Sequence, residues 1–180
     1  MKPAPDVRWK RDHLQPPNEL GAPATVPAML GTIHFSAAVA ALISGGLVAV
    51  RLKGTTFHRW TGRVYLASMA MMLGTALMIY RLFDGFGPFH WLAVFSIALI
   101  MAGAIPVYRR RPKKFWIIPH ATWMTASYIG LWAAAVAETT TRSMDFAFGP
   151  TVIISSMAVI VGGAIAMRLL LPKALARFGL

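Results

Sequence analysis

The sequence predicts an all-α membrane protein with five transmembrane helices, four of them forming a bundle from two tandem helical hairpins and the fifth lying peripheral to it. Three observations predict this fold. Apolar residues make up 57% of the 180-residue chain and charged residues 13%, too few to clothe a water-facing surface. Five apolar stretches, at about 29–50, 64–80, 88–108, 115–137 and 150–171, are long enough, or nearly so, to cross roughly 30 Å of hydrocarbon. The 18 Lys and Arg lie in the gaps between those stretches.

Residues 1–28 carry Pro3, Pro5, Pro16, Pro17, Pro23 and Pro27 with mixed charges and no apolar run. They are expected to form a flexible periplasmic tail, with insertion directed by the first apolar stretch and not by a cleavable signal peptide. Residues 29–142 then hold the four-helix bundle, and residues 143–180 the fifth helix with a short basic end. The second stretch is the shortest, bounded by Arg63 and Arg81, and its helix is expected to run past both. Turns are marked by Lys53-Gly54-Thr55-Thr56, Asp84-Gly85-Phe86-Gly87-Pro88, Arg111-Pro112 and Phe148-Gly149-Pro150. In the fifth stretch, Gly162, Gly163 and Ala166 make a small-residue face suited to packing or to homo- or hetero-oligomerisation.

The net charge of +12 alternates in space. The segments with Arg51/Lys53/Arg59/Arg63, with Arg109/Arg110/Arg111/Lys113/Lys114 and with Arg168/Lys173/Arg177 are strongly positive, whereas all six acids fall in the intervening ones. This places the N-terminus outside and the C-terminus in the cytoplasm of a bacterial inner membrane. The basic charge then needs no nucleic-acid partner; lipid, including anionic headgroups on the cytoplasmic side, accounts for it. The absence of cysteine excludes disulfides, thiol nucleophiles, iron–sulfur clusters and covalently attached haem, so any cofactor must rest on His, Met, Asp or Glu.

Four histidines lie at the ends of the apolar stretches: His34 and His90 at the outer end of the first and third, His58 and His120 at the inner end of the second and fourth. A short internal repeat supports the pairing, since Gly31-Thr32-Ile33-His34 matches Gly87-Pro88-Phe89-His90, and Ala37 matches Ala93. In an up-down bundle, alternate helices are diagonal, so each pair faces across the core. Two imidazoles at one depth suit the axial positions of a b-type haem. The two levels are about 25 Å apart, given the helix rise over the residues from His34 to Arg51.

Neighbouring residues fit the same reading. Ala37, Ala38, Ala41 and Gly45 follow His34, and Gly62 follows His58, leaving room for a macrocycle, although small residues also simply let membrane helices approach. Met124, one turn beyond His120, is placed to pack on the macrocycle edge or to replace a His ligand. Arg59 and Arg63 are placed to hold propionates or an anionic headgroup. Glu138 shares the face of His120 five turns on, at the level of His34 and His90, so His34/His90/Glu138 is an alternative site for a divalent metal or a proton relay. Against it stands a surface pairing of Glu138 with Arg142.

The run Lys53-Gly54-Thr55-Thr56-Phe57-His58-Arg59-Trp60-Thr61-Gly62-Arg63-Val64-Tyr65, then Gly87-Pro88-Phe89-His90, then His120 with Met124, Ser127-Tyr128, Gly130-Leu131, Ala133-Ala134 and Glu138 to Arg142, resembles the bacterial multi-pass proteins grouped as domain-of-unknown-function family 2306. The resemblance covers roughly residues 31–142 and implies a multi-pass fold without implying a chemistry. As an arrangement only, the paired histidines also resemble the two-haem cytochromes of the b561 group. The sequence thus supports transmembrane electron transfer by one or two b-type haems. The alternatives are a divalent-metal or proton-linked transporter or sensor, and a membrane assembly subunit with no chemistry.

Overall fold

A computed structural model describes residues 25–80, 85–110, 116–143 and 147–176. Most of the expected N-terminal tail and the turn residues Asp84, Arg111, Pro112, Lys113 and Lys114 lie outside the described residues. Five helices follow one another: α1 (Thr25–Val50), α2 (Thr56–Ala76), α3 (Pro88–Arg109), α4 (Ile117–Ser143) and α5 (Phe148–Ala176). The protein is an all-α membrane protein. Three helices are long and apolar enough to cross a bilayer by length and composition: α1 from Ala28, α3 from Phe89 to Arg109, and α5 throughout.

Local chemistry sets the helix ends. Lys53 Nζ donates to the carbonyls of Val48 and of Ala49, closing the end of α1 with a cation where the helix dipole is negative. Burial pushes the Lys53 pKa below the ordinary lysine value. Gly54 then takes φ +80°, a left-handed conformation that a glycine adopts without steric cost. Thr55 caps α2, its hydroxyl accepting from the His58 N–H at 3.1 Å. The helix therefore starts eight residues before the apolar run expected at 64–80. It does not run on to Arg81 as expected, because the chain tightens at its end: Met78 and Ile79 donate to the carbonyls of Thr75 and Ala76, three residues back. Pro88 opens α3 at a position where its missing N–H costs nothing.

The neighbours in space are α1 with α2, α2 with α3, α3 with α4 and α4 with α1, whereas α5 packs on α4. This order leaves α1 and α3, and α2 and α4, on the diagonals. The core holds Ala37, Ala41, Tyr65, Met69, Met72, Leu73, Ala93 and Leu131, so the two alanines matched by the internal repeat are buried together one turn inside their histidines. Phe35, Ile43, Trp91, Phe95, Ile153, Ile154, Leu169 and Leu170 stand outward and exposed, as lipid-facing residues do. The less apolar α2 and α4 supply the polar interior. Tyr65 of α2 and Ser127 of α4 share a buried hydroxyl–hydroxyl hydrogen bond of 2.9 Å across the diagonal. Tyr128 donates to the Leu42 carbonyl of α1 at 3.0 Å.

One expectation needs correction. The space left by Gly45 belongs to Tyr128, whose ring carbons lie 2.5 Å from where a Gly45 Cβ would stand, with Tyr65 at 3.1 Å. The small residues below His34 therefore admit two tyrosines, and the middle of the bundle is packed. Gly163 of α5, expected on a face for packing or oligomerisation, packs within the chain: a Cβ there would meet the Ile129 side chain at 2.6 Å, so it brings α5 against α4.

Candidate functional site

The rings of His58 and His120 meet at one end of the bundle, across the α2–α4 diagonal. Their centres are 6.5 Å apart and their planes almost perpendicular, at 89°. His120 Nδ1 lies 2.9 Å from the Gly103 carbonyl of α3. A carbonyl can only accept, so Nδ1 carries the proton and Nε2 keeps a bare lone pair. This arrangement, a main-chain oxygen behind the imidazole, orients metal-ligating histidines and raises their basicity. Gly103 is placed for it by close helix contact, since its Cβ would lie 2.8 Å from Met124 Sδ and 3.1 Å from Met124 N. Met124 thus fills the α3–α4 contact one turn beyond His120, and its side chain is committed there.

His58 is held at the start of α2 by the Thr55 cap, and its Nδ1 is buried without a hydrogen-bond partner among the described residues. An unpaired buried polar nitrogen costs about 1–3 kcal/mol, so a group that paired it would recover that cost. Gly62, one turn on, has no atom within 4 Å of its missing Cβ. The Arg59 guanidinium donates to Thr56 Oγ1 at 3.2 Å, and that of Arg63 lies 5.0 Å from the Trp60 ring centre. Both are exposed at this end of the molecule.

The other end is built differently. His34 Nδ1 lies 3.0 Å from the Met72 carbonyl and 3.2 Å from Thr75 Oγ1, so it too donates from Nδ1. His90, only 3% exposed, does the reverse: its Nδ1 accepts from the Gly87 N–H at 3.1 Å and closes the first turn of α3. A neutral His90 therefore bears its proton on Nε2, the nitrogen an iron needs bare, and that Nε2 is buried without a partner. Tyr80 stacks on the ring at 4.7 Å and Phe86 lies at 4.8 Å. The geometry does not present His34 and His90 as the matched ligand pair expected from the repeat. The repeat aligned their positions, but His90 is spent on a helix cap, whereas His34, like His120, donates from Nδ1 to a carbonyl and keeps Nε2 bare.

The alternative metal site is not assembled. Among the described residues no three of His, Asp and Glu come together as a metal site would need. Glu138 pairs instead with Arg142 at 2.6 Å on an exposed face, the side chains 50% and 76% accessible. Sharing a helical face with His120 was not enough: next to the buried Ala137, the Glu138 side chain stands outward.

Tyr80, Phe86 and Gly103 are the residues that sequence reasoning missed. Gly103 was one glycine in an apolar run, and only the neighbouring helix gives its carbonyl a role. No curated protein and no solved structure matches the chain. The family described as predicted membrane protein, domain of unknown function 2306, matches residues 31–176, a span that includes all four helix-end histidines. The chain belongs to that family.

Proposed function

We propose that the protein is a membrane electron carrier that holds a single b-type haem between His58 and His120. The observation that carries this reading is the pair of rings at 6.5 Å. Two imidazoles at this separation would be able to hold one metal between them. Two ligands alone are few for a bare divalent ion, which ordinarily takes three or four from protein. A porphyrin brings four nitrogens of its own and asks the protein for two. The bound iron would supply one-electron oxidation and reduction, and the chain would set its potential through ligand basicity and burial.

Each residue has a part in this reading. His120 offers Nε2, kept in place by the Gly103 carbonyl behind it. His58 offers its ring from the opposite helix, one turn before Gly62, whose missing Cβ has no neighbour within 4 Å. Arg59 and Arg63 put positive charge at the same end for the propionates. The test is the visible spectrum of purified protein, oxidised and then reduced with dithionite. A Soret band that shifts on reduction, with the sharp α band of a six-coordinate haem, is expected. Stoichiometric copper or zinc without porphyrin would contradict the proposal.

A further inference from the structure

At the end of the bundle away from His58 and His120, His90 has a hydrogen to give and no acceptor among the described residues. Its Nδ1 is fixed as an acceptor by the Gly87 N–H, which leaves Nε2–H as a buried donor. Two aromatic rings lie against the imidazole, Tyr80 at 4.7 Å with a plane angle of 29° and Phe86 at 4.8 Å with 32°. Both are about half exposed, at 47% and 50%, so each is packed on His90 on one side and open to the surroundings on the other. Phe86 belongs to the turn before α3 and not to the helix. One turn further in, Ala93 is buried and small.

We infer that His90, Tyr80 and Phe86 form a binding site for a quinone, with one carbonyl oxygen accepting from His90 Nε2–H and the ring stacking on the aromatic side chains. The donor requires an acceptor, and the cap on Nδ1 prevents it from turning acceptor itself. The aromatic pair favours a planar ring over a flexible chain. A molecule with both features that dissolves in hydrocarbon reaches the site from the bilayer. A phospholipid ester also offers a carbonyl, but it has no ring to stack. The site stands on His90 and its neighbours, whereas a role for the quinone as electron partner rests on the haem reading above.

Binding of decylubiquinone to the full chain in lipid-free detergent micelles tests this, read by quenching of tryptophan fluorescence; Trp91 lies 5.2 Å from Phe86. Decylbenzene, with a ring and tail but no carbonyl, serves as control. Saturable binding of the quinone is expected, with affinity falling about fivefold or more in His90→Asp, in line with the loss of one buried hydrogen bond. That variant keeps an acceptor for the Gly87 N–H and places an acid in the first turn of a helix, so α3 is retained. His120→Ala should bind the quinone as the parent does, which separates failure of this site from failure of the haem reading. Equal binding by His90→Asp, equal binding of decylbenzene, or stoichiometric displacement of the quinone by dioleoylphosphatidylcholine would overturn the inference.

Discussion

The His120 imidazole donates to the Gly103 carbonyl at 2.9 Å, at the place where α3 and α4 pack so closely that Gly103 has no room for a Cβ beside Met124. The orientation of one candidate ligand is thus set by the approach of two helices. Loosening that approach should disturb the ring and the fold together.

Gly103→Ala should therefore destabilise the protein by about 1–3 kcal/mol, the usual cost of an added methyl in a packed contact. Met124→Ala in the same chain removes the Sδ and Cγ contacts at 2.8 and 2.9 Å and should recover part of the loss. Detergent unfolding of the four members of this mutant cycle checks it, with non-additivity as the expected sign. Strictly additive effects would mean that the two residues do not share this contact.

The Tyr65–Ser127 bond should respond asymmetrically. Tyr65→Phe leaves the Ser127 hydroxyl still donating to the Met124 carbonyl at 2.8 Å, so a loss of about 1 kcal/mol or less is expected. Ser127→Ala strands the Tyr65 hydroxyl, which is buried with Ser127 as its hydrogen-bond partner, and should cost more, about 1–3 kcal/mol. Equal losses in the two single variants would show that the hydroxyl of Tyr65 finds another partner.

Charge alternation predicts five crossings, although three helices meet the criterion on apolarity alone. Reporter fusions after Lys53, Gly85, Arg110 and Arg142 should read inside, outside, inside, outside. A cytoplasmic signal after Gly85 would show that α2 does not cross.

Glu138→Gln breaks an exposed pair one helical turn long. It should change stability by less than about 0.5 kcal/mol and leave metal content and absorption spectrum as they were. Loss of bound zinc in this variant would revive the outer metal site.

Much of the fold was legible because apolar length and charge placement act locally. The bilayer demands long apolar runs, and each of the five helices falls on the stretch expected of it, although α2 stops at Ala76, short of the end of its run. The diagonal of His58 and His120 followed from hairpin order alone, and their rings do meet. What the sequence hid was tertiary. Whether Gly45 leaves a cavity depends on Tyr128, a residue of another helix that fills it. Whether His90 is a ligand depends on which nitrogen its own helix start claims. Spacing places a side chain on a face, but its proton is placed by the partner it finds.

The central claim is most directly tested by hemin titration of the apoprotein, with haem quantified per chain in parallel variants. A single haem is expected in the parent, in His34→Ala and in His90→Asp. His58→Ala and His120→Ala should each lose the six-coordinate Soret band, and added imidazole should restore it in His120→Ala. A parent that gains no Soret band on titration, or a band that survives His120→Ala unchanged, would contradict the account.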